Sequence, residues 1–190
     1  MSEQGAPRYP RTFHGLIVSM VVLVVAVVAF WGLNNLTHSS PTTDERVDYL
    51  RNVAEIQRAG APLKVIYPRT LPKGWKATSA DYTAPDGLGT KPAWSLGVVT
   101  DHDTFVGLRL ESAPLSELVS TYIDKNASTD GRATVATPVG NTWTTFSDRG
   151  GDHGYAEELG NYVLLVYGSG DKSDFATFMK SLTRDPLSHS

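Results

Sequence analysis

The order of apolar and polar positions divides the chain. From Phe13 to Leu33, FHGLIVSMVVLVVAVVAFWGL has no polar face and no formal charge unless His14 is protonated. These 21 residues would make roughly 30 Å of helix, enough to cross a bilayer. Trp31 stands near the end of the run, where amphipathic rings favour the membrane interface. Val27-Val28-Ala29 has the small residues of a signal cleavage site but lies inside the apolar run, so the pattern predicts an uncleaved transmembrane helix over 13–33. Residues 34–43, NNLTHSSPTT, are polar without periodicity and predict a flexible tether.

Beyond the tether, apolar residues recur at helical or strand spacing. In DERVDYLRNVAEIQRAG, Val47, Leu50, Val53 and Ala54 predict one helical face, ended by Gly60 and Pro62. LKVIY (63–67) predicts a strand. One arrangement then occurs twice. Strands over 75–83, 94–100 and 105–111 are followed by a helix with Leu115, Leu118, Val119 and Tyr122 on one face. Strands over 143–147, 155–159 and 162–168 are followed by a helix with Phe175, Phe178, Met179 and Leu182 at the same spacing. Gly160-Asn161 predicts a tight hairpin. RATVATPVGN (132–141) predicts a short strand joining the units.

Strands with tight turns make antiparallel sheets, and singly striped helices must cover them. The expectation is an α+β domain over 44–183: an antiparallel sheet of six to eight strands, built from two strand-strand-strand-helix units and packed by two or three helices. Its expected core is Trp75, Trp94, Leu96, Val106, Leu108, Leu118, Val119, Trp143, Val163, Leu165, Phe178 and Leu182. Residues 184–190 are expected to form a disordered tail.

Composition adds mostly exclusions. The net charge of −3 offers no basic footprint for nucleic acid. The chain has no cysteine, so it has no disulfide, thiolate site or lipidated cysteine. Charge does orient the span. Arg8 and Arg11 precede it, and the first positive residue after it is Arg46, so residues 1–12 should be cytoplasmic and the domain extracytoplasmic.

Candidate chemistry is sparse. Asp101-His102-Asp103 has the groups of a metal ligand or general base, but it falls on a hairpin turn, where such residues meet backbone needs. Asp152-His153 lies in a glycine-rich loop expected at the same sheet end as Gly168-Ser169-Gly170 and the last helix start. GSGDKS there lacks the phosphate-loop spacing, and Asp171 and Asp174 would repel phosphate. G-x-S-x-G and H-E-x-x-H are both absent. No catalytic, cofactor-binding or metal residue is therefore assigned, and no cofactor is expected.

In TLPKGW (70–75), Pro72 and Gly74 predict a turn that delivers Trp75 to the first long strand. This stretch opens a longer pattern. It comprises VDYLRNVAEIQRAGAP, PRTLPKGWKATSADY, AWSLGVVTDHDTFVGLRLE, the Gly140-Asn141-Thr142-Trp143 step and YVLLVYGSGDKSDFATFMKSL. Together these resemble the "domain of unknown function 4245" family of actinobacterial membrane proteins. The resemblance covers about residues 44–183. It implies an envelope location and brings no catalytic residues. Pro72, Gly74, Trp75, Gly140, Trp143, Ser181 and Leu182 give a fainter likeness to PsbP-type sandwich domains, which implies an accessory or binding role.

The sequence thus points to a single-pass, membrane-anchored envelope protein with a non-enzymatic binding module. The expected partner is another envelope protein, a lipid or a glycan. The alternatives are lipid or lipoprotein handling in a cavity of the sheet, and a hydrolase using His102 or His153. Orientation has a direct check: protease added outside spheroplasts should digest the C-terminal domain, and full protection would reverse the assignment.

Overall fold

The computed structural model describes residues 46–187. The expected N-terminus 1–12, membrane helix 13–33, tether 34–43 and last tail residues lie outside them. No helix among the described residues is long and apolar enough to cross a membrane. The described chain is α+β, with three helices and a seven-stranded antiparallel sheet.

Helix α1 (Tyr49–Arg58) begins where the Asp48 carboxylate accepts the Arg51 amide at 3.1 Å. It buries Tyr49, Val53 and Ile56. The apolar face is therefore rotated from the expected Val47, Leu50, Val53 and Ala54 stripe. Val47 precedes the helix, and Val47 and Leu50 pack only partly against the core. Tyr49 can be inside because its hydroxyl donates to the Pro68 carbonyl at 3.0 Å.

The large sheet runs in the order β2 (Lys76–Thr83), β3 (Ala93–Val99), β4 (Phe105–Glu111), β8 (Tyr162–Gly168), β7 (His153–Leu159), β6 (Thr142–Ser147) and β5 (Ser128–Thr134). The two units lie side by side, joined where β4 pairs with β8 from Val106↔Gly168 to Glu111↔Val163. Helix α2 (Leu115–Tyr122) follows β4, and α3 (Lys172–Ser181) follows β8. A two-stranded ribbon pairs β1 (Tyr67–Pro68) with β9 (Leu182–Thr183).

The units differ in where their helices pack. Phe175, Phe178 and Met179 of α3 join Val53 of α1 in a core with Trp94, Leu96, Val106, Leu108, Leu164 and Val166. Leu118 and Val119 of α2 pack on the opposite face, with Phe146, Ala156, Val163 and Leu165. This explains the uninterrupted VLLV of β8, whose two faces are each covered by a helix. Strand β4, FVGLRLE, sends Val106, Leu108 and Leu110 into the first core and turns Gly107 and Arg109 to the α2 face, where the Arg109 guanidinium lies 5.5 Å from the centre of the Tyr122 ring. All twelve expected core residues are buried.

Two expected strands are corrected. Of LKVIY, only Tyr67 enters a strand; Lys64 is exposed between buried Leu63 and Val65, but Val65, Ile66 and Tyr67 are buried in succession, so the alternation does not continue. The segment plugs the core, and the Trp94 indole N–H donates to the Ile66 carbonyl at 2.9 Å. The joining strand is β5, Ser128–Thr134, rather than 132–141. Residues 135–141 form a loop closed by Val135 N–H to Asn141 O at 3.1 Å and Thr137 N–H to Gly140 O at 3.1 Å. Strand β5 is an exposed sheet edge carrying Asp130, Arg132 and an irregularity between Thr129 and Gly131, which are ordinary guards against edge pairing.

The chain continues to be held after β9. Arg184 donates to the Val139 carbonyl at 2.8 Å, the Tyr67 hydroxyl to the Asp185 carbonyl at 2.7 Å, and the Leu187 amide to Gln57 at 3.0 Å.

The seam between the units tolerates no side chain at Gly168. Its φ is 138°, and a Cβ there would stand 2.2 Å from the Phe105 carbonyl oxygen. That oxygen also accepts the Ser169 and Gly170 amides. Gly168→Ala should therefore destabilise the domain by about 2 kcal/mol or more, read as a lower urea midpoint with an unchanged slope. A midpoint equal to wild type would show that the seam can yield.

Candidate functional site

A groove of about 640 Å³ opens beside the start of α1. Two separate segments build it: residues 46–50 on one side and 69–75, ending at Ala77 of β2, on the other. They meet because the Val47 amide donates to the Ala77 carbonyl at 3.0 Å and the Asn52 side chain to the Ala80 carbonyl at 2.9 Å. Residues 46–52 thus cover the outer edge of β2.

TLPKGW forms one wall. The Trp75 amide bonds to the Pro72 carbonyl at 3.1 Å, and Gly74 has φ 90° at the third position of that turn. This is the corner that type II turns reserve for glycine. A Cβ on Gly74 would stand 2.8 Å from Asp101 Cβ. Pro72 supplies the turn's acceptor carbonyl, one position earlier than the φ-setting place expected for it.

Trp75 is buried as expected, and it also lines the groove. Its ring stacks on Phe178 at 6.5 Å and 15°. Its indole N–H donates to Asp101 Oδ1 at 3.2 Å. Val47, Leu50, Leu71, Pro72 and Ala77 supply further apolar surface. The charged residues are Arg46, Arg69 and Lys73 against one carboxylate, Asp48, which caps α1. Arg69 also bonds Asp185 and Thr183 through Nη2.

Asp101-His102-Asp103 sits on the β3–β4 turn, as expected. His102 Nδ1 lies 3.1 Å from Asp101 Oδ1, and its side chain is 76% exposed. Asp103 has φ 59°, so the turn's backbone accounts for a residue that tolerates the left-handed region. His153 begins β7 opposite Gly168 and meets Phe175 edge-on at 6.4 Å. The two histidines share one end of the sheet, with β4 and β8 between their strands, a separation of roughly 10 Å or more. No group of three His, Cys, Asp or Glu able to hold a metal occurs among the described residues.

The start of α3 is occupied by its own side chains. Asp171 Oδ1 accepts the Ser173 and Asp174 amides at 2.7 and 2.8 Å, and Asp174 Oδ2 accepts the Asp171 amide. The Ser173 side chain, then the Asp174 amide, lower the Asp171 carboxyl, with a smaller contribution from His102. The Asp171, Ser173 and Asp174 amides that an anion would draw on are thus already taken.

Sequence reading missed the groove because its walls lie about twenty residues apart and meet only through backbone bonds. The available signal was the mix of Arg69, Lys73, Pro72 and Leu71 immediately before Trp75.

The sequence family described as "Protein of unknown function (DUF4245)" matches residues 8–182. The chain belongs to this family. The match starts before the apolar run and includes both walls of the groove. No curated protein matches the chain. Among solved structures, the chain is similar to MucB in the "Crystal structure of MucB in complex with MucA(peri)". The identity is 13% and the TM-score 0.33, over 65% of this chain and 37% of that one. The chain therefore spans little more than a third of that protein's length.

Tyr49, at the groove, gives the site a pH signature. Burial, then Tyr67 and Asp48, push its hydroxyl up from 10.0 to about 12. The native state thus keeps this proton at pH values where the unfolded chain loses it. The resulting stability is complete below about pH 10 and is lost as pH rises toward about 12. Urea midpoints should fall across that window, and Tyr49→Phe should make the fall shallower. An equally steep fall in the variant would remove Tyr49 as a cause.

Proposed function

We propose that this protein is a single-pass, membrane-anchored binding module of the cell envelope, acting without catalysis. Residues 13–33 serve as the anchor, with the N-terminus cytoplasmic and the folded domain extracytoplasmic. The groove between α1 and the 69–75 segment is its binding site. The observation that carries this reading is the groove itself. A cavity of about 640 Å³ gathers apolar surface, three cations and the TLPKGW turn in one place. That volume falls in the usual range for small-ligand sites.

Two further points support it. The family match extends over the apolar run as well as the domain, so the two fall within one family unit. Neither His102 nor His153 lines the groove. His102 is spent on a hairpin turn and His153 on the core edge.

The lipid-handling alternative takes a changed form. It does not rest on a hollow sheet, because Trp94, Leu96, Val98, Leu108, Leu164 and Val166 fill the face covered by α1 and α3. Any lipid contact belongs at the rim, in the groove.

The test is photo-crosslinking of the full chain in its native membrane. A photoreactive residue at Leu71, in the groove, should give a discrete adduct, whereas one at exposed Lys125 should not. Identical patterns from the two positions would overturn the groove as the binding site.

A further inference from the structure

We propose that the groove takes an acidic-headed amphiphile: a phosphate or carboxylate head on a short apolar stem. The inference rests on the groove being the binding site and names the class of ligand it admits.

Charge is the first argument. The whole chain is acidic, at −3, yet the groove gathers Arg46, Arg69 and Lys73 against the Asp48 carboxylate in its lining and Asp185, which is ion-paired with Arg69. The Asp48 carboxylate accepts the Arg51 amide of its own helix, so its charge is directed at the helix start. Arg69 is already oriented. Its bonds to Asp185 and Thr183 both use Nη2, and a guanidinium carries five N–H donors. A pre-oriented guanidinium sharing a groove with an ammonium suits an oxyanion.

The apolar surface is the second argument. Val47, Leu50, Leu71 and the Trp75 ring lie in the same groove as the cations. A bare inorganic anion would leave that surface wet, whereas an amphiphile covers it while its head meets the cations.

The third argument separates an amphiphile from an acidic peptide. Peptides commonly add a strand to an open sheet edge. Here the edge of β2 is taken, because Val47 and Asn52 occupy the Ala77 and Ala80 carbonyls. The exposed edge of the sheet is β5, at the far side.

The head could belong to an anionic membrane lipid or to a soluble acidic amphiphile, and the experiment separates these sources. The full chain is reconstituted in phosphatidylcholine nanodiscs and titrated with hexyl phosphate, inorganic phosphate and hexyltrimethylammonium, following tryptophan fluorescence. Hexyl phosphate should saturate, with the other two weaker by roughly tenfold or more. The double variant Arg46→Glu/Lys73→Glu alters two exposed positions. It should lose hexyl phosphate affinity by roughly tenfold or more at an unchanged melting temperature. Weaker hexyl phosphate binding in phosphatidylglycerol nanodiscs assigns the site to membrane lipid. Unchanged binding assigns it to a soluble amphiphile. Either result supports the acidic-headed class.

Equal binding of the cationic probe, equal binding of inorganic phosphate, or indifference to the double variant would overturn the inference. A protein adduct at Leu71 without any hexyl phosphate response would overturn this ligand class and leave the groove as a binding site. Absence of both would overturn the two readings together.

Discussion

The pairing of β4 with β8 is the constraint on which the rest of the domain depends. It joins the two strand-strand-strand-helix units into one sheet, with Val106 opposite Gly168 and Glu111 opposite Val163. At one end it closes on the Phe105 carbonyl, which takes amides from Ser169 and Gly170. That closure turns the chain from β8 into α3 and aims Phe178 beneath Trp75. Because Trp75 stacks there and also bonds Asp101, the groove wall is fixed from below and from the side. The groove is on the outer strand β2, but its shape is set at the centre of the sheet.

Much of the fold was legible because burial leaves a periodic trace. The strands at 105–111 and 162–168 and both later helices follow from spacing alone, and so does every expected core residue. The failures share a cause. Strand β5 has no apolar alternation because it is an exposed edge, so its residues carry no signal of pairing. LKVIY carries a strand signal without being a strand, because a mostly buried connecting segment is as apolar as a strand. The α1 face was misplaced because Tyr49 counts as polar until its hydroxyl finds the Pro68 carbonyl.

The repeat shows another limit. Both units present the same order of elements, but α2 and α3 cover opposite faces of the sheet. Each helix stripe says that a helix must be buried, and neither says against which face. The answer lies in the strands, since VLLV in β8 has two apolar faces and FVGLRLE in β4 has one.

The candidate site was the least legible part, for a reason that bears on its role. Catalytic constellations leave recognisable residue types, such as paired nucleophile and base or clustered ligands. A binding groove on this pattern needs only common residues, here arginine, lysine, leucine and tryptophan, brought together by backbone bonds between segments far apart in sequence. TLPKGW has a structural duty that explains each of its corners: glycine for the turn and tryptophan for the core. That duty does not compete with binding. A wall that must be rigid to hold the fold is also pre-organised to hold a ligand, and ordering cost is what a preformed site avoids. The cations flanking that wall are the residues the fold does not require. Arg46 and Lys73 are exposed, and surface charges of this kind add little to stability. On the proposed reading, their place beside rigid apolar surface is accounted for by what the groove receives, since little of it is accounted for by what holds the domain together.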